Sequence, residues 1–148
     1  MFEKIIHLKT KKRIEIYNIS RNIMDIISKG KIKNGLINIR TLHTTTAITI
    51  NENESGLMKD LIIFLKKLVS KHAYYNHDDL RKRKYEPEDA YKRKNGFSHI
   101  QSLLLGTTVT LPIIKEKINL GQWQSILFVE LDGPRKDRKI QVTILEAS

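Results

Sequence analysis

Apolar and polar residues alternate from Lys4 to Lys9 and again from Arg13 to Asn18, on either side of a polar Thr10-Lys11-Lys12 link. A period of two puts one set of side chains on one face of an extended chain, so the pattern predicts a β-hairpin. Ile23, Ile26 and Ile27 then fall on one stripe of a helix, with Ser20 placed to cap its start and Gly30 to stop it. From Gly35 the pattern returns to extended chain through Leu36, Ile37, Ile39 and Leu42. After His43 to Thr46 it continues through Ala47, Ile48 and Ile50. Both segments are β-branched and apolar enough to be central strands. Leu57, Met58, Leu61, Ile62, Leu65, Leu68 and Val69 carry the longest helical periodicity of the chain and predict its main core helix.

Lys71 to Ser98 breaks this regularity, being rich in charge, tyrosine and histidine and almost without apolar period. A connection of that length inside a domain is usually a functional loop or lid. Ser98 to Gly106 predicts a short helix ending at glycine, with His99 near its start. Strands follow at Thr107 to Leu111, Ser125 to Leu131 and Lys139 to Leu145, separated by turns at Lys115-Glu-Lys117 and Asp132-Gly-Pro-Arg135. Strands outnumber helices and do not alternate with them, which defines an α+β fold. No repeat or composition break divides residues 1–148, so a single domain is expected.

Composition narrows the class of function. The chain has no cysteine, which removes disulfides, thiolate metal sites and cysteine nucleophiles, and fits a reducing, cytoplasmic location. No apolar run approaches the roughly 20 residues that span a bilayer, so no membrane partner is expected. The formal net charge is +11, which by itself suggests a phosphate-bearing partner. Its 19 Lys against 8 Arg form a global bias rather than a patch, and no nucleic-acid motif accompanies them. An anionic small substrate uses the same field without needing a nucleic acid.

Five histidines remain. His43 opens a His-Thr-Thr-Thr stretch where Thr44 and Thr45 could hold phosphate or carboxylate oxygens, although a run of threonines is also simply a good strand former. His77 precedes Asp78 and Asp79 in the long loop, and His99 opens the helix after it. Three imidazoles can hold a zinc-like ion with one position open, or act as ordinary hydrogen-bonded histidines. His7 and His72 have no such neighbours in the sequence and receive no role. Glu130 lies inside an apolar strand, where a carboxylate needs either a structural arginine or a polar site. Arg135 and Arg138 flank a turn and can grip phosphate bidentately. Trp123 either packs or stacks on a flat heterocycle.

Taken in order, His43-Thr-Thr with Asn51-Glu52, His77-Asp-Asp79, His99, Leu105-Gly106, Pro112, Leu120-Gly-Gln-Trp-Gln124 and Glu130-Leu-Asp-Gly-Pro-Arg135 closely resemble the YjbQ family, described as secondary thiamine-phosphate synthases. The resemblance runs from about residue 10 to 146, with Gln122 departing from the family's usual Thr or Arg. It implies a strongly curved mixed β-sheet with a few packed helices, a homotrimer, and a site around His43, His77 and His99. A divalent metal ion, zinc or magnesium, is the cofactor that three such histidines could hold. The implied reaction joins a pyrimidine diphosphate to a thiazole phosphate and releases pyrophosphate. In that setting Arg135 and Arg138 would meet phosphate charge, and Glu52 and Asp79 would serve as general base or orient a histidine. Two other readings of the residues stay open: a metal-dependent phosphate ester hydrolase, and a non-catalytic module binding a ligand or nucleic acid.

Overall fold

The computed structural model describes residues 1–82 and 93–147. Strand β1 (Phe2–Thr10), β2 (Glu15–Asn18), helix α1 (Ser20–Gly30), β3 (Gly35–Thr41), β4 (Thr46–Glu52) and α2 (Ser55–Leu68) form the first half. A single 3-10 turn (Asn76–Asp78), α3 (Gly96–Leu105), β5 (Thr108–Ile114), β6 (Lys117–Ile118), β7 (Gln124–Glu130) and β8 (Arg135–Glu146) complete it. The fold is α+β. Residues 83–92, part of the expected lid, lie outside the described residues.

The strands divide between two sheets, ordered β1-β8-β3-β5-β6 and β2-β7-β4, and every described pairing is antiparallel. This replaces the mixed sheet implied by the resemblance. The division follows from the inward residues. Ile6, Ile37, Ile39, Ile140, Val142 and Ile144 of the first sheet share one core with Ile48, Ile126 and Phe128 of the second and with Ile23 and Ile27 of α1. On the other face of the second sheet Ala47, Val129 and Leu131 bury against Leu65 of α2, with Leu61 and Leu105 beside them. Strand β7 is thus covered on both faces, which is why Ile126 to Val129 reads as a continuous apolar run.

Four expectations change. Strands β1 and β2 both form but do not make a hairpin: β1 pairs with β8 and β2 with β7. Ile6 and Leu8 belong to the core between the sheets, whereas Ile14 and Ile16 turn to the helix-covered side, so the link between them carries the chain from one sheet to the other. Ser20 is the first helical residue instead of the cap, and its Oγ accepts the Ile126 N–H at 2.9 Å. Gly30 stays helical, and Lys31 takes the left-handed stop at φ 53°. Strand β3 is central as expected, but β4 is an edge of its sheet. Helix α2 starts well, with Glu54 accepting the Gly56 and Leu57 N–H groups at 2.7 Å. Of its residues only Leu65 is buried, and Ile63, Phe64 and Leu68 are exposed.

Candidate functional site

The inward positions of the strands change character at one end of the sandwich. Residues two apart share a face of a strand. Ile6 and Leu8 therefore lead to Thr10, Ile37 and Ile39 to Thr41, Ile126 and Phe128 to Glu130, and Ile144, Val142 and Ile140 to Arg138. Thr10, Thr41, Thr45, Thr46, Glu130 and Arg138 are all buried there. A buried carboxylate must find charge and donors. Glu130 finds both: Arg138 donates from Nε at 2.7 Å and Nη2 at 2.6 Å, Thr10 Oγ1 at 2.9 Å, and the Leu131 and Asp132 N–H groups at 3.1 and 2.9 Å. Arg138 Nη2 also reaches Thr45 Oγ1 at 3.1 Å.

The turn after β7 is held in the same manner. Asp132 is fully buried, and its Oδ2 accepts from Asn95 Nδ2 at 2.9 Å and from Arg135 Nη2. Arg13 Nη2 stands 3.4 Å from Oδ1 without completing a hydrogen bond. Arg93 donates to the Asp132 carbonyl at 3.0 Å. Gly133 is required here, because a Cβ at that position would stand 2.1 Å from the Lys12 carbonyl.

His43 lies in the β3–β4 link above this polar end. Its Nε2 accepts the Lys139 N–H at 2.8 Å, so a neutral His43 carries its proton on Nδ1. Partial burial holds its pKa below the ordinary imidazole value, and the Arg138 and Lys139 cations push the same way against Glu130 and Asp137. His43 is therefore a neutral N–H donor near neutral pH.

His77 and His99 come together although they are far apart in sequence. Their ring centroids are 4.4 Å apart with the planes tilted by 57°. Asp78 Oδ1 sets this approach by accepting the Asn95 and Gly96 N–H groups at 3.0 and 2.9 Å, fixing the 3-10 turn against the start of α3. Ser98 and Ser102 pin α3 to the second sheet by donating to the Leu131 and Thr46 carbonyls at 2.8 and 2.7 Å. Asp78 was absent from the expected site. Its mark in the sequence was an acidic residue beside His77, 18 positions before Gly96 at the start of α3.

The other expected residues are placed as follows. Asp79 accepts from Tyr74 at 3.0 Å and pairs with Arg81 at 2.9 Å, which holds its carboxyl well below the usual carboxylate range. Arg135 is engaged with Asp132, and Arg138 and Thr45 belong to the Glu130 network. Thr44 is exposed, Glu52 is half-buried at the end of β4, and Trp123 is 67% exposed. His7 meets Asp137 at 2.9 Å on the surface. Among the described residues of one protomer no three His, Asp or Glu side chains are grouped to hold a metal ion. His77 and His99 meet, but the His43 Nε2 faces a backbone donor. These residues do not fit a three-histidine metal centre as they stand.

The fold and this arrangement define a class: an antiparallel two-sheet α+β protein with a buried ionic turn, a neutral histidine above it and a histidine pair at a loop–helix junction. A family model described as UPF0047 protein YjbQ-like matches residues 4–147, and the chain belongs to that family. It is 40% identical to a UPF0047 protein of Archaeoglobus fulgidus over 133 residues, covering 90% of this chain and 94% of the relative. It is 30% identical to the UPF0047 protein YugU of Bacillus subtilis, covering 89% and 91%. Among solved structures, a YbjQ-like protein of unknown function from Sulfolobus solfataricus superposes with a TM-score of 0.87 at 32% identity, covering 99% of this chain and 97% of that one.

Proposed function

We propose that this protein is an enzyme acting on a phosphorylated small molecule, with His43, His77 and His99 as its reacting side chains. The observation that carries this reading is the His77–His99 pair, built by Asp78 at the junction of loop and helix. Two imidazoles in contact can divide the work of general acid and general base, because one can hold a proton while the other accepts one. The neutral Nδ1–H of His43 adds a donor for a phosphate or diphosphate oxygen.

The specific reaction proposed is the joining of a pyrimidine diphosphate to a thiazole phosphate. The thiazole ring nitrogen forms a bond to the methylene carbon of the pyrimidine, and the carbon–oxygen bond to diphosphate breaks. Pyrophosphate leaves with the electron pair, so negative charge grows on the oxygen that was bonded to carbon, where a donor accelerates departure. Zinc or magnesium would serve the same charge. Either ion needs His43 to turn its Nε2 away from Lys139 or donors beyond the described residues of one protomer. Incubating the protein with both substrates and resolving thiamine phosphate and pyrophosphate by chromatography tests the reaction. Release of phosphate from p-nitrophenyl phosphate, with no condensation, would favour the hydrolase instead.

A homotrimer is part of the same proposal. Phe64 and Leu68 on α2 and Leu103 and Leu104 on α3 are exposed, and Leu103 is 76% so. Exposed apolar side chains on these two helices suit burial against another copy of the chain. Sedimentation equilibrium should give three times the 17.3 kDa chain mass, and a monomer at micromolar concentration would remove this part.

A further inference from the structure

A cleft of about 550 Å³ opens between the β1–β2 link, α2 and α3, away from the histidine pair. Its lining divides into two chemistries. Ile14, Ile62 and Phe97 give it an apolar wall, and Lys12, Lys66 and Lys71 bring cations to it. None of its described lining residues is acidic. Among the described ion pairs none involves these three lysines, whereas Arg13, also in the lining, is engaged with Asp132 and lies 4.8 Å from the Phe97 ring centroid. Lys66 and Lys71, with no acidic partner among the described ion pairs, stand beside the apolar wall and favour an anionic group carried on an apolar body.

Gln101 supplies a second, independent observation. It lines the cleft and is 1% exposed. Its Nε2 donates to the Leu65 carbonyl at 3.2 Å, while Oε1 has no hydrogen-bond partner among the described residues. A buried acceptor left without a donor is uncommon and costs stability unless something supplies the donor.

We propose that this cleft is a second ligand site, which takes a small organic anion with an aromatic or aliphatic body, a phosphate or carboxylate at one end and a hydrogen-bond donor at the other. The body packs on Phe97 and Ile62, the anionic group meets Lys66 and Lys71, and the Gln101 amide, covered in this structure, turns its Oε1 to the donor on binding. The site is distinct from the histidine pair. At about 100° per residue, His99 projects to the other side of α3 from Phe97 and Gln101. Neither His77 nor His99 lines the cleft.

Binding can be read by ¹H–¹⁵N spectra and calorimetry on the full chain, with 4-hydroxyphenyl phosphate, 4-hydroxybenzoate, phenyl phosphate and inorganic phosphate as probes. The expected result is saturable binding of one of the two hydroxylated probes, with shifts at Phe97 and the Gln101 side-chain amide; which one binds fixes phosphate or carboxylate as the anion. Phenyl phosphate should bind more weakly than its hydroxylated counterpart, and inorganic phosphate should leave those signals unmoved. The double variant Lys66→Gln, Lys71→Gln changes only exposed side chains and should weaken binding by about tenfold or more, while His99→Ala should leave it unchanged. Three results would overturn the proposal: no saturable binding at millimolar probe, binding lost in His99→Ala but kept in the lysine variant, or equal binding of inorganic phosphate. Because the readout is binding rather than turnover, an inactive histidine site leaves each of these outcomes unaltered.

Discussion

Arg138 closes on Glu130 through two parallel hydrogen bonds of 2.7 and 2.6 Å, with both side chains buried at the polar end of the sandwich. The pair organises more than itself, because Glu130 also takes the Thr10 hydroxyl and two N–H groups of the following turn. Removing the cation alone leaves a buried carboxylate without its counter-charge. Arg138→Met should therefore cost about 3–5 kcal/mol in urea unfolding. Adding Glu130→Gln, which removes the charge and keeps an acceptor for the turn, should recover part of that loss. A single-variant loss below about 1 kcal/mol would show that the pair is not uncompensated when broken.

His43 predicts a pH dependence of defined sign. Burial and the nearby Arg138 and Lys139 charges hold its folded-state pKa below the unfolded value of about 6.5. As pH falls, the unfolded chain takes up this proton first. The contribution of His43 to stability is thus fully present above about pH 6.5 and is lost as pH falls through that value toward the folded pKa. Between pH 7.5 and 5 the urea midpoint of the parent should fall further than that of His43→Gln. Parallel curves for the two proteins would contradict the assignment.

Asp78 predicts a separable effect on the histidine pair. Its Oδ1 accepts two N–H groups at the start of α3, so Asp78→Ala should cost about 1–2 kcal/mol, in the range of lost helix caps. The same change should weaken the ring-to-ring nuclear Overhauser contact between His77 and His99. Asp78→Asn keeps an acceptor and should preserve both. If the alanine variant retains the contact at full strength, the pair is positioned by something other than Asp78.

These features differ in how far the chain announces them. The inward faces of β3 and β8 are legible because their apolar residues recur at period two, and β7 because Ile126 to Val129 form an unbroken apolar run. The buried Glu130 is legible too, since a carboxylate in an apolar strand demands a partner; the partner is Arg138, two residues before the inward Ile140 on the inward face of the other sheet. Reading the last inward residues of β1, β3 and β7, Thr10, Thr41 and Glu130, together with the first of β8, Arg138, would have revealed the polar end of the core. What local pattern does not carry is pairing. The alternation of β1 and β2 is the same whether they pair with each other or with distant strands, and only the burial of Ile6 in one core and Ile16 against the other decides it. The helix pattern of α2 likewise says that a face is apolar without saying what covers Phe64 and Leu68. The meeting of His77 with His99 depends on one side-chain cap across the loop, for which spacing gives no measure.

The most direct test of the proposed enzyme compares initial rates of thiamine phosphate formation from the pyrimidine diphosphate and the thiazole phosphate in the parent, His77→Ala and His99→Ala. Each variant is first checked by circular dichroism and sedimentation. Turnover is expected in the parent, with a loss of about 10²-fold or more in each folded variant, the scale of a displaced acid–base group. Turnover that survives unchanged in both folded variants would contradict the proposal, as would a parent that forms no product from these substrates and releases no phosphate from p-nitrophenyl phosphate.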